Sequence, residues 1–245
     1  MRKLFYYELR RVLFRWMFLA MLAVNGMYAW YVLTTDLIRG AAYTAPFSIW
    51  SCCAYLGKTM PAASITVLLI LCGYYSKKQK QVEILTSAAP MTGAQHLLIR
   101  SGVLAVCFIL VSAVIMAVAV FFYSRFFQFY DYAGYILPGL LLILPCFVVL
   151  LGAGHLLAGV HQGLCYILIG ICFAAALYAP DSAWDLFGSG YFAAYPLTLA
   201  PGIGGEPAYQ MQTEWAVARG MYLVAGILLL GLKVRGTKRK LTMAE

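Results

Sequence analysis

The sequence predicts an all-α membrane protein, with six transmembrane helices, an N-terminal interfacial helix and both termini in the cytoplasm. Composition is the first reason. Of 245 residues, 63% are hydrophobic and only 11% charged, whereas soluble domains carry about 25% charge. Length is the second, because no interval between apolar runs could bury a separate core. Residues 1–245 therefore form a single transmembrane domain. The third is the placement of charge. Residues 1–15 hold five Lys/Arg, residues 76–100 hold four and residues 233–245 hold five of the 18 in the chain. Arg39, Lys58, Arg125 and Arg219 fall in the alternate intervals, with six of the nine acids. This positive-inside alternation places both ends and the 76–100 loop in the cytoplasm. It also argues against nucleic acid as the reason for the formal charge of +9, since a nucleic-acid surface gathers its charge on one face.

Residues 1–15 are an amphipathic interfacial helix. Phe5, Leu9, Val12, Leu13 and Trp16 recur at helical spacing, while Lys3, Arg10, Arg11 and Arg15 lie mostly elsewhere on the wheel. Such a helix rests on the inner leaflet, with Arg10, Arg11, Arg15 and Trp16 anchoring it to membrane lipid. It is too basic and amphipathic for a removable signal peptide. The first span is 16–33, and residues 34–51 return on the outside. The second span is read as 59–75, at the short limit for a crossing. Lys58 sets that start, because a lysine at the bilayer centre costs about 2.5–3.5 kcal/mol. At the outer interface its stem can snorkel. The third span is 101–123, and an outer turn around Arg125 and Asp131 follows. The fourth is 135–157, with Pro138 in its first turn and Pro145 expected to kink it. A tight inner turn at 159–163 leads to the fifth span, 164–179, and the sixth is 216–232.

Two intervals stand out. Residues 76–100 begin with Lys77, Lys78 and Lys80, continue as Val82, Glu83, Ile84 and Leu85, and break at Pro90. Thr92 with Gln95 forms a capping-box pattern for a new helix. The loop thus reads as a short surface helix, a break and a restart. Residues 180–215 form an outer re-entrant or interfacial segment. Asp181 is placed to cap a helical turn carrying Trp184 and Phe187, and Tyr191, Phe192 and Tyr195 extend the aromatic series. Rings of this kind settle at headgroup level. Trp184, Phe187, Tyr191 and Phe192 are candidates for an outer gate, or for a belt that only seals the domain.

Other chemistry is poorly supported. The seven cysteines lack C-x-x-C or Cys/His ligand spacing, so they read as packing residues and no metal site is expected. Gly57-Lys58-Thr59 resembles the end of a phosphate loop, but the first glycine would fall at Cys52. Gly188-Ser189-Gly190 evokes a serine nucleophile, yet His96, His155 and His161 lie toward the inner face. No span carries an acid near its middle, which disfavours self-powered ion or proton transport.

The amphipathic basic helix, the six spans, the Glu83-Ile84-Leu85 segment with Pro90 behind it, and the segment before the last span together resemble the permease subunits of type 2 ABC exporters. Ile84 replaces the commoner leucine of that family. The resemblance covers the chain topologically, and about 25 residues carry a motif. It implies a multi-pass protein of a bacterial plasma membrane, forming the translocation path of an ATP-driven exporter. The chain itself would be no enzyme and would bind no cofactor. ATP and Mg would sit in a separate ABC ATPase subunit, and a second permease copy or a homologous permease would complete the path. Val82, Glu83, Ile84, Leu85 and Pro90 would form the coupling element for the ATPase. Small size and the lack of a large outer domain imply a hydrophobic or peptidic cargo, as in antimicrobial-peptide or drug efflux. The alternative reading is a non-transporting membrane scaffold or assembly factor.

Overall fold

The computed structural model describes residues 2–76, 93–178, 181–200 and 207–242, with side chains as far as 236 in the last helix. The regular elements among them are helices: α1 (Arg2–Leu13), α2 (Trp16–Thr35), α3 (Ile49–Tyr74), α4 (Gly93–Phe127), α5 (Ala133–Val160), α6 (Gln162–Leu177), α7 (Ser189–Ala194), a 3-10 turn (Tyr195–Thr198) and α8 (Thr213–Thr242). Among the described residues five stretches are long and apolar enough to cross a membrane: α2, α3, α4, α5 and Thr213–Gly236 of α8. The chain is an all-α, multi-pass membrane protein on that ground. The expected fifth span corresponds to α6, which holds 16 residues. That is about 24 Å of helix, short of a hydrocarbon core of about 30 Å.

The helix α3 forms the core. Within its most apolar stretch 67% of residues are buried, against 28% in α2 and 22% in α8, so the other helices pack around it and turn apolar faces outward. It begins at Ile49, ten residues ahead of the predicted start of the second span. Two facts explain the difference. The Ser48 hydroxyl caps the helix by accepting from the Ser51 amide at 3.1 Å, and Trp50 through Leu56 are buried. Lys58 does not interrupt the helix, because its ammonium leaves the bundle and meets Asp36, the C-cap of α2, at 2.7 Å. The predicted third span is likewise longer, since α4 runs 35 residues.

Glycines set the closest crossing. A Cβ on Gly226 of α8 would lie 2.6 Å from the Val148 carbonyl carbon and the Val149 nitrogen of α5, and one on Gly152 would lie 2.7 Å from the Gly226 oxygen. The two backbones touch, as small residues permit in membrane bundles. A Cβ on Gly154 would press on Leu68 and Leu71 of α3 at 3.1 Å. The Gly152-x-Gly154 pair is thus occupied within the chain.

The first helix bears out its amphipathic pattern. Val12 is buried, Phe5 and Leu9 pack against the core, and Tyr6 and Tyr7 face outward. The Phe5 ring lies 3.1 Å from where a Cβ on Gly102 would stand, so α1 leans on the early turns of α4. The chain breaks at Phe14 and Arg15, with Arg15 extended as the N-cap of α2. Trp16 begins α2 with 82% of its surface exposed.

Candidate functional site

The interval 76–100 connects α3 to α4, whose first turns it includes. Val82, Glu83, Ile84, Leu85 and Pro90, with Thr92 of the capping box, lie outside the described residues. The described flanks are joined by one side chain. His155 of α5 is fully buried. Its Nδ1 lies 2.9 Å from the Tyr75 hydroxyl, just past the end of α3, and its Nε2 lies 3.1 Å from Ser101 Oγ on α4. The Ser101 hydroxyl donates its proton to the Leu97 carbonyl at 2.9 Å. It therefore accepts from Nε2–H, which leaves Nδ1 to accept from Tyr75. A neutral imidazole with one donor and one acceptor satisfies both partners.

Lys233 of α8 completes this cluster. Its ammonium stands 5.7 Å from the centre of the Tyr75 ring, and its stem crosses α5 at Gly159, where a Cβ would overlap it. The Arg100 guanidinium lies 5.4 Å from the centre of the Tyr74 ring. Four long helices, α3, α4, α5 and α8, thus meet at the base of the loop through named polar side chains. Sequence reasoning missed this. Tyr75, His155 and Lys233 were each legible only as residues near a helix end.

At the far end, residues 181–200 are not organised as expected. Residues 181–188 form turns and bends rather than a helical turn capped by Asp181. The capping carboxylate is Asp185, which accepts from the amides of Phe187 at 3.0 Å and Gly190 at 2.9 Å. Gly188 makes the bend with φ +79. Arg219 of α8 is buried and donates to the Leu186 carbonyl at 2.6 Å and the Asp185 carbonyl at 2.5 Å, with its guanidinium 4.7 Å from the centre of the Trp215 ring. Arg219 stands in the second turn of α8, buried although charged. It is tolerated because two carbonyls and an aromatic face replace water.

The four gate candidates separate here. Trp184 is exposed and stands edge-on to Tyr222, whose hydroxyl bonds the Trp184 carbonyl. Phe187, Tyr191 and Phe192 are buried. Tyr191 stacks on Tyr195 at 5.0 Å, and Phe192 packs between Trp50 and Trp215 at 6.2 and 5.4 Å. These rings fill the space between α3 and α8. A Cβ on Gly57 would stand 2.7 Å from the Ser189 nitrogen, so the segment presses on α3 from Gly57 to Trp50, about 10 Å along the helix. Gly57 is the contact point for this segment, not the end of a phosphate loop. The segment also covers the part of α3 that α6 is too short to reach. Burial raises the phenol of Tyr209 above its ordinary value.

The Ser189 hydroxyl is buried with no hydrogen-bond partner among the described residues. The buried imidazole of His155 is engaged with Tyr75 and Ser101 at the opposite end of the bundle, so it provides Ser189 with no base. Among the described residues no group of His, Cys, Asp and Glu is arranged to hold a metal ion, and all seven cysteines are buried free thiols. Comparison with protein families, with curated proteins and with solved structures finds no match to this chain.

Proposed function

We propose that the chain is the membrane subunit of an ATP-driven exporter, coupled through the 76–100 loop to a separate ATPase and paired with a second permease. The observation that carries this reading is the His155 cluster. A loop that only balanced charge would need no anchor, yet both of its flanks bond to the same buried imidazole. Force applied to the loop reaches α5 directly and α8 through Lys233. The lean of α1 on α4 at Gly102 provides a lateral path to the interfacial helix. With six crossings, α6 and the segment behind it together make the fifth, and the aromatic plug over α3 is the closed outer gate. Hydrophobic or peptidic cargo is consistent with the apolar rings that would have to part.

The test is recovery of a tagged chain from its native membrane in mild detergent. Wild type is expected to bring down a soluble ATPase, and a Val82→Asp, Leu85→Asp double variant to lose it. His155→Phe is expected to retain the ATPase but to lose stimulation of ATP hydrolysis by the membrane subunit. Absence of any ATPase with wild type, under conditions that preserve other membrane complexes, overturns the reading in favour of a membrane scaffold.

A further inference from the structure

A cavity of about 600 Å³ opens where the corner between α1 and α2 faces the loop end of α3 and the start of α6. That volume lies within the range of small-molecule sites, about 300–1,000 Å³. Its walls are divided in character. Arg11, Arg15 and Gln162 line one part, while Phe18, Leu69 and Ile70 line another. The charge is one-sided. Arg11 is partly neutralised by Glu8 at 2.9 Å, Arg15 has no carboxylate partner among the described residues, and among the described residues no acid lines the cavity. Met17 and Tyr166, which also line the cavity, and Ile167 beside it turn exposed apolar surface outward from α2 and α6. Trp16, at the same corner, is exposed as rings at a headgroup layer are.

We propose that this cavity is a discrete site for one acidic phospholipid, with its phosphate between Arg11 and Arg15 and an acyl chain against Phe18, Leu69 and Ile70. A free phosphate would satisfy the guanidinium groups but leave the apolar wall wetted. A zwitterionic lipid would bring a cationic group beside Arg15. An acidic amphiphile matches both walls, and clustered basic residues at an interface select such lipids. The site stands independently of any ATPase partner, and rests only on the chain being a membrane protein.

One residue makes the test clean. Gly73 lines the cavity, and a Cβ there meets nothing within 4 Å. Gly73→Leu therefore projects a side chain into the cavity from a Cβ that meets no neighbour, and replaces a glycine in the last turn of α3. The purified full chain is titrated with phosphatidylglycerol, phosphatidylcholine, and sodium phosphate or glycerol 3-phosphate, following bound lipid by native mass spectrometry and thermal midpoint in parallel. Wild type is expected to hold one phosphatidylglycerol per chain in preference to phosphatidylcholine. Arg15→Gln is expected to weaken binding about fivefold, the loss of one basic contact at a membrane surface. Gly73→Leu is expected to abolish the bound lipid while its lipid-free midpoint stays at or above that of wild type. Equal retention of phosphatidylcholine, retention in both variants, or equal stabilisation by soluble phosphate would each overturn the proposal.

Discussion

Replacing Arg219 with methionine isolates what holds the far end together. The change keeps an unbranched apolar stem but removes the donors to the Leu186 and Asp185 carbonyls and the cation over Trp215. Each orphaned buried carbonyl costs about 1–3 kcal/mol, and the lost ring contact about 1 kcal/mol. Relief from burying a charge offsets part of this, so the expected net loss is about 2–4 kcal/mol. At about 2–4 °C per kcal/mol for a chain of this size, the thermal midpoint should fall by about 5–15 °C. The loss should also be local. Cys53 shares a face of α3 with Trp50 and Gly57, which the far segment covers, whereas Cys52 lies on another face and Cys72 at the loop end, and all three are buried. Maleimide labelling of the Arg219→Met protein in detergent, with sites assigned by peptide mass, should mark Cys53 faster than in wild type and leave Cys72 protected. An unchanged midpoint with unchanged labelling would refute the reasoning. Equal exposure of Cys72 would do so too, because it would mean that the whole bundle had loosened.

Gly226→Leu places a side chain where even a Cβ lies 2.6 Å from the α5 backbone, and should cost more than about 3 kcal/mol or prevent folding, read as loss of a monodisperse peak on size exclusion. Gly188→Ala forces a residue with a side chain to φ +79 and should cost about 1–2 kcal/mol by thermal denaturation. The exposed Lys58–Asp36 pair should show a coupling below about 1 kcal/mol in a double-mutant cycle of Lys58→Met and Asp36→Ala. The phenol of Tyr209 is raised above the ordinary tyrosine value of about 10, first by burial. Its contribution is full below pH 10 and is lost as pH rises through the higher folded value. Tryptophan emission reporting on Trp50 and Trp215 should therefore be flat from pH 7 to 9 and shift only in stronger base.

The class of fold was legible because it depends on composition and on sums over long windows. The amphipathic first helix was legible for the same reason, with Val12 facing in and Tyr6 and Tyr7 facing out. Helix boundaries were not. Lys58 looked like the edge of a span because a lone lysine is costly in lipid, and nothing in the sequence names Asp36, 22 residues earlier, as its partner. The far segment was legible as aromatic and inward-dipping, but its capping acid was misplaced by four residues. Asp181 and Asp185 are equivalent on a helical wheel, and only the bend at Gly188 separates them. The His155 cluster joins residues 80 and 54 positions apart, a pairing no local pattern encodes. One signal was available and overlooked: Arg219, Gly226 and Lys233 repeat every seven residues, which sets all three on one stripe of the last helix.

That stripe gives α8 the geometry of a balance beam. At Gly226 it rests on α5 backbone against backbone, the closest crossing of the two helices. About 10 Å to either side, Arg219 grips the far segment and Lys233 grips the base of the loop. A side chain at Gly226 would part α8 from α5 and so disturb both grips together.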